Sequence, residues 1–149
     1  MSVQIRVRAI VVKDNGKLFC VRLKAYEGSK EHDYWCLPGG AVDEREGLEV
    51  ALRREMLEET GVAPQIGELL YIQHFVFEGQ EQLEFFFHVT NTNNYKNIDI
   101  AKASHAEIEI AEFGFVDTDT TYILPSFLSR ENIVEHIESK QPTKIFSYL

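Results

Sequence analysis

An α/β fold, with a mixed β-sheet and helices on its faces, is predicted by three features of the sequence. Runs rich in β-branched and aromatic residues lie on both sides of one strongly patterned helical stretch. Two pairs of those runs are split by turn residues, as in hairpins. A second, shorter helical pattern comes late in the chain. The 149 residues read as one domain, residues 1–149. A chain of this length buries about 68–70% of its unfolded surface, enough for a proper core.

Residues 3–12, VQIRVRAIVV, alternate and then turn wholly apolar, which predicts a strand. Asn15-Gly16 is a hairpin signal, and LFCVRLK (18–24) reads as the partner strand. Residues 25–34 are polar and read as a loop, and WCLPGG closes it with a short strand and a tight turn. A helix is predicted over residues 46–60, with Gly61 as the residue just past its end. Residues 68–78 and 81–91 flank Gly79-Gln80 as a second hairpin. The stretch 90–106 is a polar connection long enough to be a functional loop. Residues 107–117 predict another strand. Residues 129–140 predict a helix with Ser129 as its N-cap, and the tail 143–149 either adds a strand or stays loose.

The formal net charge is −9. Nucleic-acid polymers are bound by neutralising phosphates with Lys and Arg, so this balance argues against such a partner. Small phosphorylated ligands remain open to it, held by metal ions and a few placed cations. Cys20 and Cys36 are too few for a disulfide framework or a zinc site, and are read as free thiols of a reducing cytosol. The first residues lack the apolar core of a signal peptide, and no run is long enough to span a membrane. A cytoplasmic protein with no membrane partner is the expectation.

At about 100° per residue, Leu48, Ala51, Leu52 and Met56 form one apolar stripe. Glu55 and Glu59 fall inside it and Glu58 lies on its edge, so these carboxylates are expected to face the protein body. A buried unpaired carboxylate is costly. Hard divalent cations compensate such groups, because Mg²⁺ takes oxygen ligands and keeps waters and substrate phosphates in its shell. The i, i+3, i+4 spacing lets all three side chains reach one point. The plain alternative is a solvated acidic helix end. Pro38-Gly39-Gly40, just upstream, permits a sharp turn and offers a backbone carbonyl as a further oxygen ligand. Arg54 precedes Glu58 by one turn and is placed to orient it, or forms an ordinary surface pair.

These residues resemble the Nudix hydrolases, whose pattern is G-x5-E-x7-R-E-U-x-E-E-x-G-U, with U a bulky aliphatic. Gly40, Glu46, Arg54, Glu55, Met56, Glu58, Glu59, Gly61 and Val62 fill every defined position, with Met56 a mild variation. Seven identities at about 7% each would coincide at a given start roughly once in 10⁸. The resemblance implies the family's α/β/α sandwich, with the box helix packed on the mixed sheet. It implies hydrolysis of a pyrophosphate bond in a nucleoside diphosphate linked to another group X, with divalent metals holding the phosphates. Carried over, Glu55, Glu58 and Glu59 are the metal ligands and the Gly39 carbonyl a further one. Glu46 and Arg54 are orienting residues. Mg²⁺ is the expected ion, with Mn²⁺ as an alternative. The general base is a box glutamate or a later one, Glu109 ahead of Glu107. The resemblance also allows a homodimer, although no interface is legible.

Outside the box the signals are weaker. Arg22, Lys24 and Arg8 offer cations for phosphates, against ordinary surface solvation. Tyr34 and Trp35 precede the glycine turn and offer π-faces for a nucleobase, against packing. The subfamily marks of the ADP-ribose, dinucleoside polyphosphate and coenzyme A types are not found. This leaves a nucleoside triphosphate or modified nucleotide, giving the monophosphate and pyrophosphate, as the leading substrate. ADP-ribose or a nucleotide sugar comes next. A non-catalytic nucleotide sensor is the reading of another class, and an intact box weighs against it.

Overall fold

The computed structural model describes residues 2–23, 34–98 and 110–149. Among these residues, nine strands form two mixed sheets. The strands are β1 (Gln4–Ile10), β2 (Leu18–Leu23), β3 (Trp35–Cys36), β4 (Gly39–Ala41), β5 (Ile66–Phe77), β6 (Gln80–Val89), β7 (Ile110–Val116), β8 (Ile123–Leu124) and β9 (Lys144–Tyr148). The five-stranded sheet runs β4-β1-β6-β5-β9, and the four-stranded sheet runs β7-β2-β3-β8. β1 pairs antiparallel with β4 and parallel with β6. β9 adds in parallel to β5, so the tail is a strand at the sheet's edge.

The first predicted hairpin is corrected. The turn forms, with the Gly16 amide donating to the Lys13 carbonyl at 2.8 Å. Its two arms then part into different sheets and meet only at the bridge Val12↔Leu18. The wholly apolar end of the first run explains this. Ile10 belongs to one core and Val11 to the other, so the chain is buried on both sides as it crosses between sheets. The second hairpin turns at Glu78-Gly79, one residue earlier than the sequence suggested. Both take positive φ (51° and 77°), which suits the twist of a two-residue turn.

Helix α1 (Leu48–Thr60) packs against β1 and β4. It starts two residues later than predicted, because Arg45 has φ 61° and Gly47 is its extended N-cap. Gly61 closes it with φ 74°. Ala51, Leu52 and Met56 are fully buried beneath it, joined by Val7, Ala9, Phe19, Phe87 and Val89. Burial of a Leu or Met side chain contributes about 1.5–3 kcal/mol, so these few residues dominate the docking of α1.

The opposite face carries the second core, with Ile10, Leu18, Leu37, Tyr71, Phe86 and Phe127. Helix α2 (Ile133–Glu138) covers it through Ile133 and His136. The predicted late helix is therefore shorter than expected. Ser129 ends a 3₁₀ turn (Ser126–Ser129), and Asn132 caps α2 by accepting from the Glu135 amide. Helices on both faces of the strands give the α/β/α sandwich. In the polar connection, Thr92–Tyr95 forms a 3₁₀ turn, and Glu107 and Glu109 lie outside the described residues. No helix among the described residues is long and apolar enough to cross a membrane.

Candidate active site

The site is built where α1 meets the glycine turn. Glu59, only 7% exposed, accepts a hydrogen bond from the Gly39 amide at 2.8 Å. Gly39 has φ 141°, and a Cβ there would lie 2.0 Å from the Val7 carbonyl oxygen. Only glycine fits this approach. A Cβ on Gly40 would lie 2.7 Å from the Glu55 carboxylate, so the missing side chain is the space that Glu55 occupies.

Arg54 clasps the acidic group together. It donates to both oxygens of Glu46 at 2.8 and 2.9 Å, to Glu55 at 2.9 Å, and to the Ala41 carbonyl at 3.0 Å. Glu58 lies at 3.4 Å from the same guanidinium. The planar fork suits this multiple engagement, and a lysine would not reproduce it. Glu46 also accepts from the Asp43 amide at 3.0 Å. The Arg54 and Asp43 hydrogen bonds lower the Glu46 pKa to about 2. Arg54 is pushed up in turn, chiefly by its hydrogen bonds to Glu46. Glu55 goes the other way. Burial raises its pKa, against the pull of Arg54, and neighbouring Glu58 adds to the rise.

The three carboxylates are neighbours, but among the described residues no three acidic, histidine or cysteine side chains gather as a cation cage. The Gly39 amide donates to Glu59, and Arg54 donates to Glu55 and Glu58. The donor chemistry still fits a hard divalent cation. All the donors are oxygens, and the half-buried Glu55 charge is incompletely compensated.

The other candidates fall in different places. Arg22 pairs with Glu112 at 3.0 Å across the β2–β7 ladder. Tyr34 lines a cavity of about 560 Å³ on the face of β1 opposite α1. Trp35 packs against the second core and is not among that cavity's lining residues. Cys20 and Cys36 are free thiols, kept protonated by burial, which raises both.

Sequence reasoning offered Arg8 as a cation for phosphates but passed over the rest of the cavity floor. Arg8 donates to Glu84 at 2.7 Å and to the Leu37 carbonyl at 3.0 Å, and Arg6 lies 3.9 Å from Glu84. Burial opposes the Arg8 charge, but Glu84 outweighs it and raises its pKa. A signal was present. Gln82 and Glu84 alternate with apolar residues in β6, as Arg6 and Arg8 do in β1, so each strand sends polar groups to one face.

Layers of this kind, with a carboxylate-bearing helix folded over a glycine turn, define a Nudix-type domain. The NUDIX domain family matches residues 3–133, and the chain belongs to that family. The chain is 35% identical to a MutT-like protein of Streptomyces ambofaciens over 65 residues, which cover 44% of the chain and 38% of the relative. It is 32% identical to an RNA pyrophosphohydrolase of Caulobacter vibrioides over 109 residues, 61% of each. The match thus spans less than two thirds of these curated relatives. Its fold is also that of the E. coli ORF135 protein, with a TM-score of 0.69, 19% identity and 95% coverage of both chains.

Proposed function

We propose that this protein hydrolyses the pyrophosphate bond of a nucleoside diphosphate linked to a further group. A nucleoside triphosphate or modified nucleotide, giving the monophosphate and pyrophosphate, is the leading substrate. The observation that carries the reading is the Arg54 clasp, which holds Glu46, Glu55 and Glu58 beside a glycine turn whose backbone Glu59 grips. Glu55, Glu58, Glu59 and the Gly39 carbonyl would hold a divalent cation, Mg²⁺ or Mn²⁺. When bound, such an ion neutralises phosphate charge and acidifies water.

The chain's own residues supply the rest. Arg54 sets the rotamers of Glu55 and Glu58, and Glu46 sets Arg54. Gly40 leaves room for Glu55 against the backbone. The proton of the attacking water passes to a carboxylate. Glu58, at 27% the most exposed of the three side chains against 15% for Glu55 and a buried Glu59, is the nearest candidate. Glu109 is the distal alternative.

One observation favours a second reading, in which the substrate is the 5′-phosphorylated end of RNA. It is the 109-residue match to a protein named for that activity. The net charge of −9 weighs against a polymer.

The test is a phosphate-release screen in Mg²⁺ over ordinary and oxidised nucleoside triphosphates, ADP-ribose, nucleotide sugars, dinucleoside polyphosphates and a 5′-triphosphorylated oligoribonucleotide. Coupling to pyrophosphatase or phosphatase separates released pyrophosphate from monoesters. Pyrophosphate release that disappears in Glu58→Gln is the expected result. Nucleotide binding without turnover of any substrate would overturn the proposal in favour of a sensor.

A further inference from the structure

Three successive residues of the glycine turn are each held by a backbone group, and the three holds come from different directions. The Gly39 amide donates to Glu59 at 2.8 Å, on the α1 side. The Pro38 carbonyl accepts from the Ala9 amide at 3.0 Å, within the sheet. The Leu37 carbonyl accepts from Arg8 Nη1 at 3.0 Å, and Arg8 lines the cavity on the opposite face.

Arg8 is aimed by Glu84. Arg6 stands directly across from Glu84 in the β1–β6 register, yet its Nε stops at 3.9 Å, whereas Arg8 reaches Glu84 diagonally at 2.7 Å. The other Glu84 oxygen lies 3.4 Å from Gln73 Nε2. The Glu84 side chain is only 6% exposed and that of Arg8 15%. A buried pair of this kind adds little net stability, because desolvation of both charges offsets their attraction. What it fixes is the entry to the glycine turn.

The carbonyl that follows has a defined direction. Ala9 bonds Pro38 and Val42 bonds Ile5, so the alternate residues Gly39 and Ala41 turn their backbone groups away from β1 in the antiparallel ladder. The Ala41 carbonyl, so turned, accepts from Arg54 at 3.0 Å. The Gly39 carbonyl is the corresponding group two residues earlier, on the residue whose amide reaches Glu59. Its direction depends on the peptide planes before it, which Arg8 holds at Leu37 and Ala9 holds at Pro38.

Resting on the hydrolase reading for the place of the metal, we propose that Arg8 and Glu84 are positioning residues of the metal site, acting through the Leu37 carbonyl to aim the Gly39 carbonyl. In this role they touch neither metal nor substrate. Glu84 holds the guanidinium, the guanidinium holds Leu37, and the turn follows. Groups that orient a metal's ligands from behind change its affinity by about 10–100-fold.

The test reads metal binding apart from turnover. Mn²⁺ is titrated into the nucleotide-free full chain, and free Mn²⁺ is followed by electron paramagnetic resonance. The double variant Arg8→Met/Glu84→Gln removes the clamp without leaving one charge buried alone, and the two opposite charges go together. It should bind Mn²⁺ about tenfold more weakly than the parent, with the Gly39 and Gly40 amide resonances of ¹⁵N-labelled protein shifted before any metal is added. Ile133→Ala, which thins the second core away from the turn, should lose stability yet keep the parent affinity. Arg8→Lys keeps the charge but loses the fork, and should weaken Mn²⁺ about threefold. Parent affinity in the folded double variant, or in Arg8→Lys should the double variant not fold, would overturn the proposal. So would an equal loss in Ile133→Ala, since general loosening would then suffice. A parent that binds no Mn²⁺ would overturn the metal assignment and this proposal together. A parent that binds Mn²⁺ but hydrolyses no nucleotide would sink the hydrolase reading alone, with the positioning role still decided by the affinities.

Discussion

The Glu59 carboxylate accepts the Gly39 amide proton at 2.8 Å, across twenty positions of sequence. This one bond ties the last turn of α1 to β4, because Gly39 is itself held in register against Arg8. The helix and the glycine turn are thus a single unit, and the two glycines in it serve different ends.

Gly39→Ala should damage the fold. Its Cβ would strike backbone 2.0 Å away, at a φ of 141° that L-residues avoid. The expected loss is roughly 2–4 kcal/mol from strain and overpacking, measured by denaturant unfolding.

Gly40→Ala should damage the site and largely spare the fold. The atoms 2.7–2.8 Å from its Cβ belong to the end of the Glu55 side chain, which can swing away. The expected outcome is an unfolding free energy within about 0.5–1.5 kcal/mol of the parent's, with nucleotide hydrolysis reduced at least tenfold.

Glu58→Gln should abolish turnover, a loss of at least about 100-fold, with an unchanged circular dichroism spectrum. Full rate in this variant would overturn the assignment of Glu58.

Arg54→Lys removes the fork that joins Glu46, Glu55, Glu58 and the Ala41 carbonyl. A point charge cannot hold all four, so activity should fall together with about 1–2 kcal/mol of stability. If Arg54→Lys matched the parent in both assays, the clasp would be incidental.

Stability should also decline on mild acidification through His136. Its side chain is buried against the Tyr71 ring, 4.8 Å between centroids, and neither ring nitrogen has a well-formed hydrogen bond. Burial lowers its pKa, Lys144 adds to that, and Glu131 with the Gln141 and Pro142 carbonyls works in the opposite sense. A folded-state pKa below the unfolded value means that the unfolded chain takes up the proton first. The stabilisation is present above about pH 6.5 and is lost as pH falls below it. Melting temperatures between pH 7.5 and 5 should fall in the parent and fall less in His136→Phe. Glu46 acts in a lower window. Its folded pKa of about 2 gives stability that is present above about pH 4.5.

Local patterns were readable from the residues alone. The stripe through Ala51, Leu52 and Met56 placed α1, and Asn15-Gly16 and Gly79 placed turns, because periodicity and turn chemistry are properties of short segments. What failed to show was long-range. Residues 3–12 and 18–24 look like partners, but only the parallel pairing of β1 with β6 separates them, and that pairing links residues far apart in sequence. Ser129 resembles a cap, yet Asn132 takes the role once the 3₁₀ turn packs Phe127 into the core. The glutamates of the box were legible as a group. Their division between Arg54 and the Gly39 amide was not, since the competing partners only meet in the fold.

Strand β1 has a further consequence. Its even positions, Arg6 and Arg8, look into the cavity, while Val7 and Ala9 look to the core beneath α1. One strand is therefore a partition wall whose neighbouring bricks belong to different rooms. Adding or deleting one residue within it would exchange the rooms, with guanidinium groups sent into the core and methyl groups left facing the cavity. Substitutions at the even sites can reshape the cavity without touching the odd ones, provided that the count along the wall never changes.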